Sequence, residues 1–183
     1  GKPWPQAEMA ILDGEGRALG DGEIGEIAIR GDIVMKEYWN RAEATADAVI
    51  GGWLHTGDVG FRDADGFYFV HDRIKDMIVS GGENVYPAEV EGAIMGCPGV
   101  ADVAVIGVPD DKWGESVKAL IVPAAGTTLD PADVVAWART RIAAYKIPKS
   151  VEFIDALPRN PSGKVLRREL RAPYWEGRDR AVG

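Results

Sequence analysis

The stretch from Arg73 to Pro87 (Arg-Ile-Lys-Asp-Met-Ile-Val-Ser-Gly-Gly-Glu-Asn-Val-Tyr-Pro) separates two textures of sequence, and so limits the folds open to this chain. A charged knot, His71-Asp72-Arg73-Ile74-Lys75-Asp76, leads through an apolar strand and a Gly-Gly pair to a proline suited to the first turn of a helix. Upstream, short alternating segments are punctuated by turn residues. Glu8 to Leu12 reads as a strand, Asp13-Gly14-Glu15-Gly16 as a turn and Glu23 to Arg30 as a half-buried strand. Asp63-Ala64-Asp65-Gly66 predicts a hairpin between Val59–Arg62 and Phe67–Val70. Asn40 with Glu43 predicts a capping box for a short helix that Gly51-Gly52 ends.

Downstream, strands are expected at 77–80, 101–107, 116–122 and 151–155, and helices at 87–95, 131–143 and 165–171. Val90, Ala93, Ile94 and Cys97 form one apolar helical face. Asp130 precedes Pro131 as an N-cap, and Val135, Ala138 and Ile142 are expected to face inward. The fold class is therefore α+β: a β-rich hairpin subdomain over 1–72, then a small α+β domain with helices packed on a few-stranded sheet.

The net charge of −8 argues against a general binder of nucleic acid or anionic membranes. The basic residues between Arg159 and Arg180 read mostly as a solvated tail. The single cysteine, Cys97, excludes a disulfide framework and reads as a buried structural thiol. With no membrane-length apolar run and no signal-peptide pattern, a cytoplasmic location is expected. The start at Gly1-Lys2-Pro3, without an initiator methionine, is expected of a piece of a longer protein.

Four stretches carry candidate chemistry. In Thr56-Gly57-Asp58 the aspartate is either a turn residue or a carboxylate accepting vicinal hydroxyls such as those of ribose. Arg73 either pairs with Asp72 or Asp76, or meets a sugar or phosphate oxygen. Ser80-Gly81-Gly82 either bends the chain or lets a thin ligand approach the backbone. In Pro158 to Arg167 two prolines stiffen a loop, and Lys164 is expected at a helix start as a compact cation for phosphate and carboxylate oxygens. This last stretch is not a Walker phosphate loop, because Val165 stands where Ser or Thr should be. His55 and His71 read as structural, and no metal site is expected.

In order, Gly52-Trp53-Leu54-His55-Thr56-Gly57-Asp58, Asp72 through Glu91, Gly107-Val108-Pro109-Asp110-Asp111-Lys112-Trp113-Gly114-Glu115 and Pro158 through Arg167 resemble the adenylate-forming superfamily of acyl-CoA synthetases, adenylation domains and luciferases. The details lean towards the fatty-acyl-CoA ligase branch. The resemblance implies a C-terminal portion: 1–72 as the last β subdomain of the large AMP-binding domain, 73–76 as a hinge and 77–183 as the mobile domain. It implies an acyl-CoA ligase that uses MgATP and CoA, with the magnesium ligands and the acyl pocket upstream in an N-terminal domain, and a fragment inactive by itself. Asp58 and Arg73 would bind the nucleotide, and Lys75 would be the hinge residue. Ser80, Gly81 and Gly82 would line the CoA tunnel, Lys164 would be catalytic, and Trp53 would lie near the active-site edge. A non-catalytic docking module of the same fold, or an enzyme loading a carrier protein in place of CoA, stays open as an alternative.

Overall fold

The structure, a computed structural model, describes residues 1–178 and 180. The chain divides into two compact units, Gly1–Ile74 and Lys75–Gly183. The fold class is α+β.

In the first unit, strands β1 (Ala7–Leu12) and β2 (Gly25–Gly31) pair antiparallel from Ala7↔Gly31 to Leu12↔Glu26. A seven-residue helix, α1 (Ala42–Ala48), precedes β3 (Val49–Ile50). The long β4 (Trp53–Arg62) pairs with β2, with β3 at its start and with β5 (Tyr68–Arg73) at its end. The core is small: Ile11, Ile27 and Tyr68, flanked by Met9, Leu19 and Ile29. The Tyr68 hydroxyl donates to the Met9 carbonyl at 2.6 Å, so its one polar atom is satisfied.

The expected capping box does not form. An N-cap residue needs extended backbone, whereas Asn40 is left-handed at φ 53°. Arg41 stands at the N-cap without a side-chain bond. Instead, the Thr45 hydroxyl accepts from Tyr38 N–H at 3.0 Å and donates to the Arg41 carbonyl at 2.9 Å. Gly51-Gly52 does not end the helix either. It is the turn between β3 and β4, with φ 59° and 83°, as a tight hairpin requires.

The second unit opens with a hairpin of β6 (Ile78–Ser80) and β7 (Glu83–Val85), turned by Gly81-Gly82 at φ 62° and 86°. A three-residue strand gives almost no periodic signal, and β7 was not expected. Helix α2 (Pro87–Met95) has the expected bounds. Strands β8 (Val100–Asp110) and β9 (Gly114–Pro123) form a long antiparallel hairpin, longer than their sequence periods suggest. Helix α3 (Pro131–Arg139) is shorter than expected, and Asp130 caps it by accepting from Ala132 N–H at 2.7 Å. Strand β10 (Ser150–Phe153) joins β9 in parallel, and α4 (Arg167–Arg171) follows.

Alternation along β8 divides two cores. Val103 and Val105 face α2 and α3 in a cluster with Ile78, Ile94, Ile121 and Val134. Ala104 and Ile106 face the other way, with Leu120 and Leu157, against Val165, Leu170 and Tyr174. On α3 the inward valine is Val134, fully buried, whereas Val135 is half-buried. Adjacent valines look alike in a helical pattern, and packing decided the phase. Cys97 is buried and unpaired by any disulfide, and burial raises its thiol pKa. Among the described residues no helix is long and apolar enough to cross a membrane.

Candidate active site

In the first unit, register places Asp58 on β4 directly opposite Arg73 on β5, and Arg73 Nε lies 3.0 Å from Asp58 Oδ1. The pairing expected with Asp72 or Asp76 is not formed. Asp72 is buried and accepts from Arg73 N–H at 2.8 Å, while Asp76 pairs with arginines of the second unit. Both members of the Asp58–Arg73 pair reach solvent, so their attraction is weak and easily exchanged for ligand contacts. A carboxylate beside a guanidinium offers acceptors for hydroxyls and a fork of donors for phosphate or sugar oxygens.

The backbone entering Asp58 is held by a residue not singled out from the sequence, Glu26. Its Oε1 accepts from Gly57 N–H at 2.9 Å and its Oε2 lies 2.7 Å from His55 Nδ1. Thr56 Oγ1 donates to the Ile27 carbonyl at 2.6 Å and accepts from Asp58 N–H at 3.1 Å. Gly57, at φ 70°, makes the kink that these contacts hold. His71 packs edge-on against Phe61. Trp53 lies under the Arg30 guanidinium, 4.5 Å from ring centroid to Cζ.

Residues Ile74–Asp76 form a single 3-10 turn at the boundary between the units, with the Lys75 side chain exposed. The Lys75 carbonyl accepts from Arg171 at 3.0 Å and from Arg180 at 2.7 Å. Arg180 also donates to the Met77 carbonyl and pairs with the buried Glu115 at 2.7 Å. Arg167 binds Glu91 at 2.7 Å and Asp76 at 3.4 Å. The basic tail is therefore not simply solvated. Arg159, Arg167, Arg171, Arg178 and Arg180 each have an acidic partner distant in sequence, which local charge counting cannot detect. Burial, and next the nearby Arg180, pushes the Arg171 pKa down. Asp179, within this stretch, lies outside the described residues.

Ser80 and Gly81 border a cavity of about 280 Å³, lined also by Glu83, Trp113, Tyr145 and Lys149. Trp113 lies on the β8–β9 turn, where Asp110 Oδ1 accepts from Lys112 N–H at 2.9 Å and Trp113 N–H at 3.0 Å. Those two bonds, that of Trp113 first, hold the Asp110 carboxyl below the usual range. A Cβ added at Gly81 would meet the Trp113 ring at 2.6 Å, whereas the space beside Gly82 is open. Gly81 thus makes room for an indole, and the Gly81 N–H donates to the Trp113 carbonyl at 2.9 Å. Tyr145 and Lys149 went unnoticed in the sequence. Their signal is an aromatic residue among lysines, Tyr145-Lys146-Ile147-Pro148-Lys149, after α3.

Lys164 is not at a helix start. It closes a tight turn whose flanks, Arg159 and Val165, form an antiparallel bridge, and α4 begins only at Arg167. Its side chain is exposed. Among the described residues it forms no ion pair, whereas Arg159 and Arg167 on either side are both engaged. Among the described residues no group of three or more His, Cys, Asp or Glu residues is arranged to hold a metal ion.

Residues 1–39 match the family described as AMP-binding enzyme, and residues 89–164 match the AMP-binding enzyme C-terminal domain. A fatty acid–[acyl-carrier-protein] ligase of Streptomyces coeruleorubidus is 47% identical over 100% of this chain and 35% of its own length. A feruloyl-CoA synthase of an Amycolatopsis species is 53% identical over 91% of this chain and 34% of its own. Among solved structures, ATP-bound MatB of Rhodopseudomonas palustris superposes with TM-score 0.91 at 40% identity, over 95% of this chain and 35% of that one. The o-succinylbenzoate CoA synthetase of Bacillus subtilis, in complex with ATP and magnesium, gives TM-score 0.84 at 40% identity over 93% of this chain and 35% of that one. The chain spans about a third of the length of these relatives. It belongs to the AMP-binding enzyme family and carries that family's C-terminal domain.

Proposed function

We propose that this chain is the C-terminal part of an ATP-dependent acyl-CoA ligase. A carboxylate oxygen attacks the α-phosphorus of MgATP, forming the acyl–phosphate bond as diphosphate leaves. The CoA thiol then attacks the acyl carbon, AMP leaves and the thiol proton passes to solvent. Lys164 bridges the substrate carboxylate and the α-phosphate in the first step, orienting both and offsetting charge on the transferring group. Asp58 accepts the ribose hydroxyls and Arg73 meets the same nucleotide. Residues 73–76 are the hinge between the large domain's last subdomain, 1–72, and the mobile domain, 77–183, with Lys75 at the turning point.

The observation that carries this reading is the exposed Lys164 ammonium, left without a carboxylate among the described residues while its neighbouring arginines are engaged. The names of the relatives, feruloyl-CoA synthase and long-chain-fatty-acid–CoA ligase among them, support a carboxylic acid and a thiol as substrates. The cavity beside Ser80 and Gly81 supports a thiol ligand, because Trp113 and Tyr145 contribute aromatic rings and Lys149 a cation to its lining. A carrier-protein acceptor is the second reading, favoured by the relative named as an acyl-carrier-protein ligase and matched over 100% of this chain.

The test is diphosphate release by the complete polypeptide that carries this chain, given MgATP and a panel of carboxylates, then CoA or a phosphopantetheinyl carrier protein. Release with fatty or arylalkenoic acids, followed by thioester formation, is expected. Silence across the panel sinks the reading, and thioester on the carrier protein alone selects the second.

A further inference from the structure

The turn that bears Lys164 is built around one side chain, Asn160. Its Oδ1 accepts from Ser162 N–H at 3.0 Å, from Ser162 Oγ at 2.8 Å and from Lys164 N–H at 2.9 Å. Backbone N–H groups can only donate, so the amide oxygen must face them, which fixes the flip of the Asn160 amide. The backbone closes the same ring: Asn160 N–H donates to the Lys164 carbonyl and Gly163 N–H to the Asn160 carbonyl, both at 2.9 Å. Both backbone polar groups of Lys164 are therefore tied to Asn160, one to its side chain and one to its main chain. Fixing N and C=O fixes the Cα–Cβ direction, and so the direction in which the lysine stem leaves the turn.

An outer brace surrounds this ring. Arg159 donates to the Gly163 carbonyl at 2.6 Å and to Asp102 Oδ2 on β8, also at 2.6 Å. Asp102 Oδ1 in turn accepts from Val103 N–H at 3.0 Å. The turn is thus anchored to the central hairpin of the second unit, and Pro161 stiffens it from within. The same side-chain-centred ring closes the turns at Asp13–Arg17 and Asp63–Phe67; what sets the Lys164 turn apart is the Arg159 bond that fixes it to Asp102 on β8.

We propose that Asn160 is a positioning residue for Lys164. Its amide oxygen holds the lysine stem in the direction needed at the carboxylate and α-phosphate, and Arg159 fixes the turn to the sheet. The inference rests on the reading of Lys164 given above. Geometry alone governs such an effect, so its signature is selective: it slows the step that uses Lys164 and spares the other.

The experiment uses the complete polypeptide, with adenylation followed by diphosphate release and thioester formation followed from supplied acyl-adenylate. Asn160→Ala is expected to lower adenylation roughly ten- to a hundredfold, through kcat rather than KM for ATP. Thioester formation and the thermal midpoint should stay near the parent. Asn160→Asp keeps the acceptor oxygens and recovers most of the lost rate. Ser162→Ala removes only one of the three donors and changes little. Should Asn160→Ala not fold, the same contrast is read in Asn160→Ser, which replaces the amide oxygen with a hydroxyl on a shorter side chain. Equal loss in both half-reactions, parent-like adenylation by Asn160→Ala, or no recovery by Asn160→Asp each overturns the inference. Lys164→Ala runs alongside. If it abolishes adenylation while Asn160→Ala does nothing, the inference fails and the reading of Lys164 stands. If Lys164→Ala leaves adenylation intact, both fail.

Discussion

In the second unit both faces of the sheet are covered: Val103 and Val105 pack under α2 and α3, and Ala104 and Ile106 pack under α4 and the segments around it. In the first unit the buried hydrophobic cluster is Ile11, Ile27 and Tyr68. Around it Trp39 is 82% exposed, Trp4 75% and Val70 68%, with Ile33, Phe67 and Phe69 also open. The two sheets have similar numbers of strands but different amounts of apolar surface removed from water, and that quantity sets stability. The second unit contains the layers it needs for its own core, whereas the first leaves much of its apolar surface in solvent.

The sharpest way to break this contrast is in the larger core. Ile94→Ala, at a fully buried position, should cost the second unit about 2–5 kcal/mol. In a urea titration that follows the two units separately, its transition should move and that of the first unit should not. A shared shift would mean that the units unfold together. Gly81→Ala should cost about 1–3 kcal/mol, from the left-handed backbone and the displaced indole. Trp113 fluorescence reports the displacement, and an unchanged spectrum would refute it.

Asp130→Ala removes the N-cap of α3 and should cost about 1 kcal/mol, read as a lower thermal midpoint of the second unit. Tyr174 gives an effect confined to high pH. Burial, and then its hydrogen bond to Glu152, pushes its pKa up to about 12. A raised folded-state pKa on a group that is neutral when protonated adds stability in full below the unfolded pKa, near 10. That contribution is lost as pH rises towards about 12. Tyr174→Phe should flatten this part of the stability profile, and an unchanged slope would dismiss the assignment. Smallest of all, Val70→Ser in the first unit should stay within about 0.5 kcal/mol. A larger loss would show that this exposed residue belongs to the core after all.

Where local chemistry decides structure, the sequence was legible. Pro87 and the Val90–Ile94–Cys97 face delimited α2, Asp130 marked the start of α3, and the change at Arg73–Pro87 separated hairpins from alternating strands and helices. The fold class followed from these. Where two local signals competed or a partner lay far away, it was not. Asn40 looked like a cap but took a left-handed turn, and Val134 could not be told from Val135. Asp58 and Arg73 were each legible as candidates, yet their meeting depends on the register of β4 and β5. Glu26, Tyr145, Lys149 and Asn160 gained meaning only once the chain had brought their contacts together.

Gly81 and Trp113 carry a consequence for descent. The indole occupies the space where a side chain at 81 would have to begin. A lineage that acquired a side chain at 81 would have to shift or shrink the indole at 113, whereas 113 can lose bulk without any clash at 81. Such a lineage would show the two changes as a linked pair, inherited together across a separation of thirty-two positions, while the open side of Gly82 leaves that neighbour under no such bond.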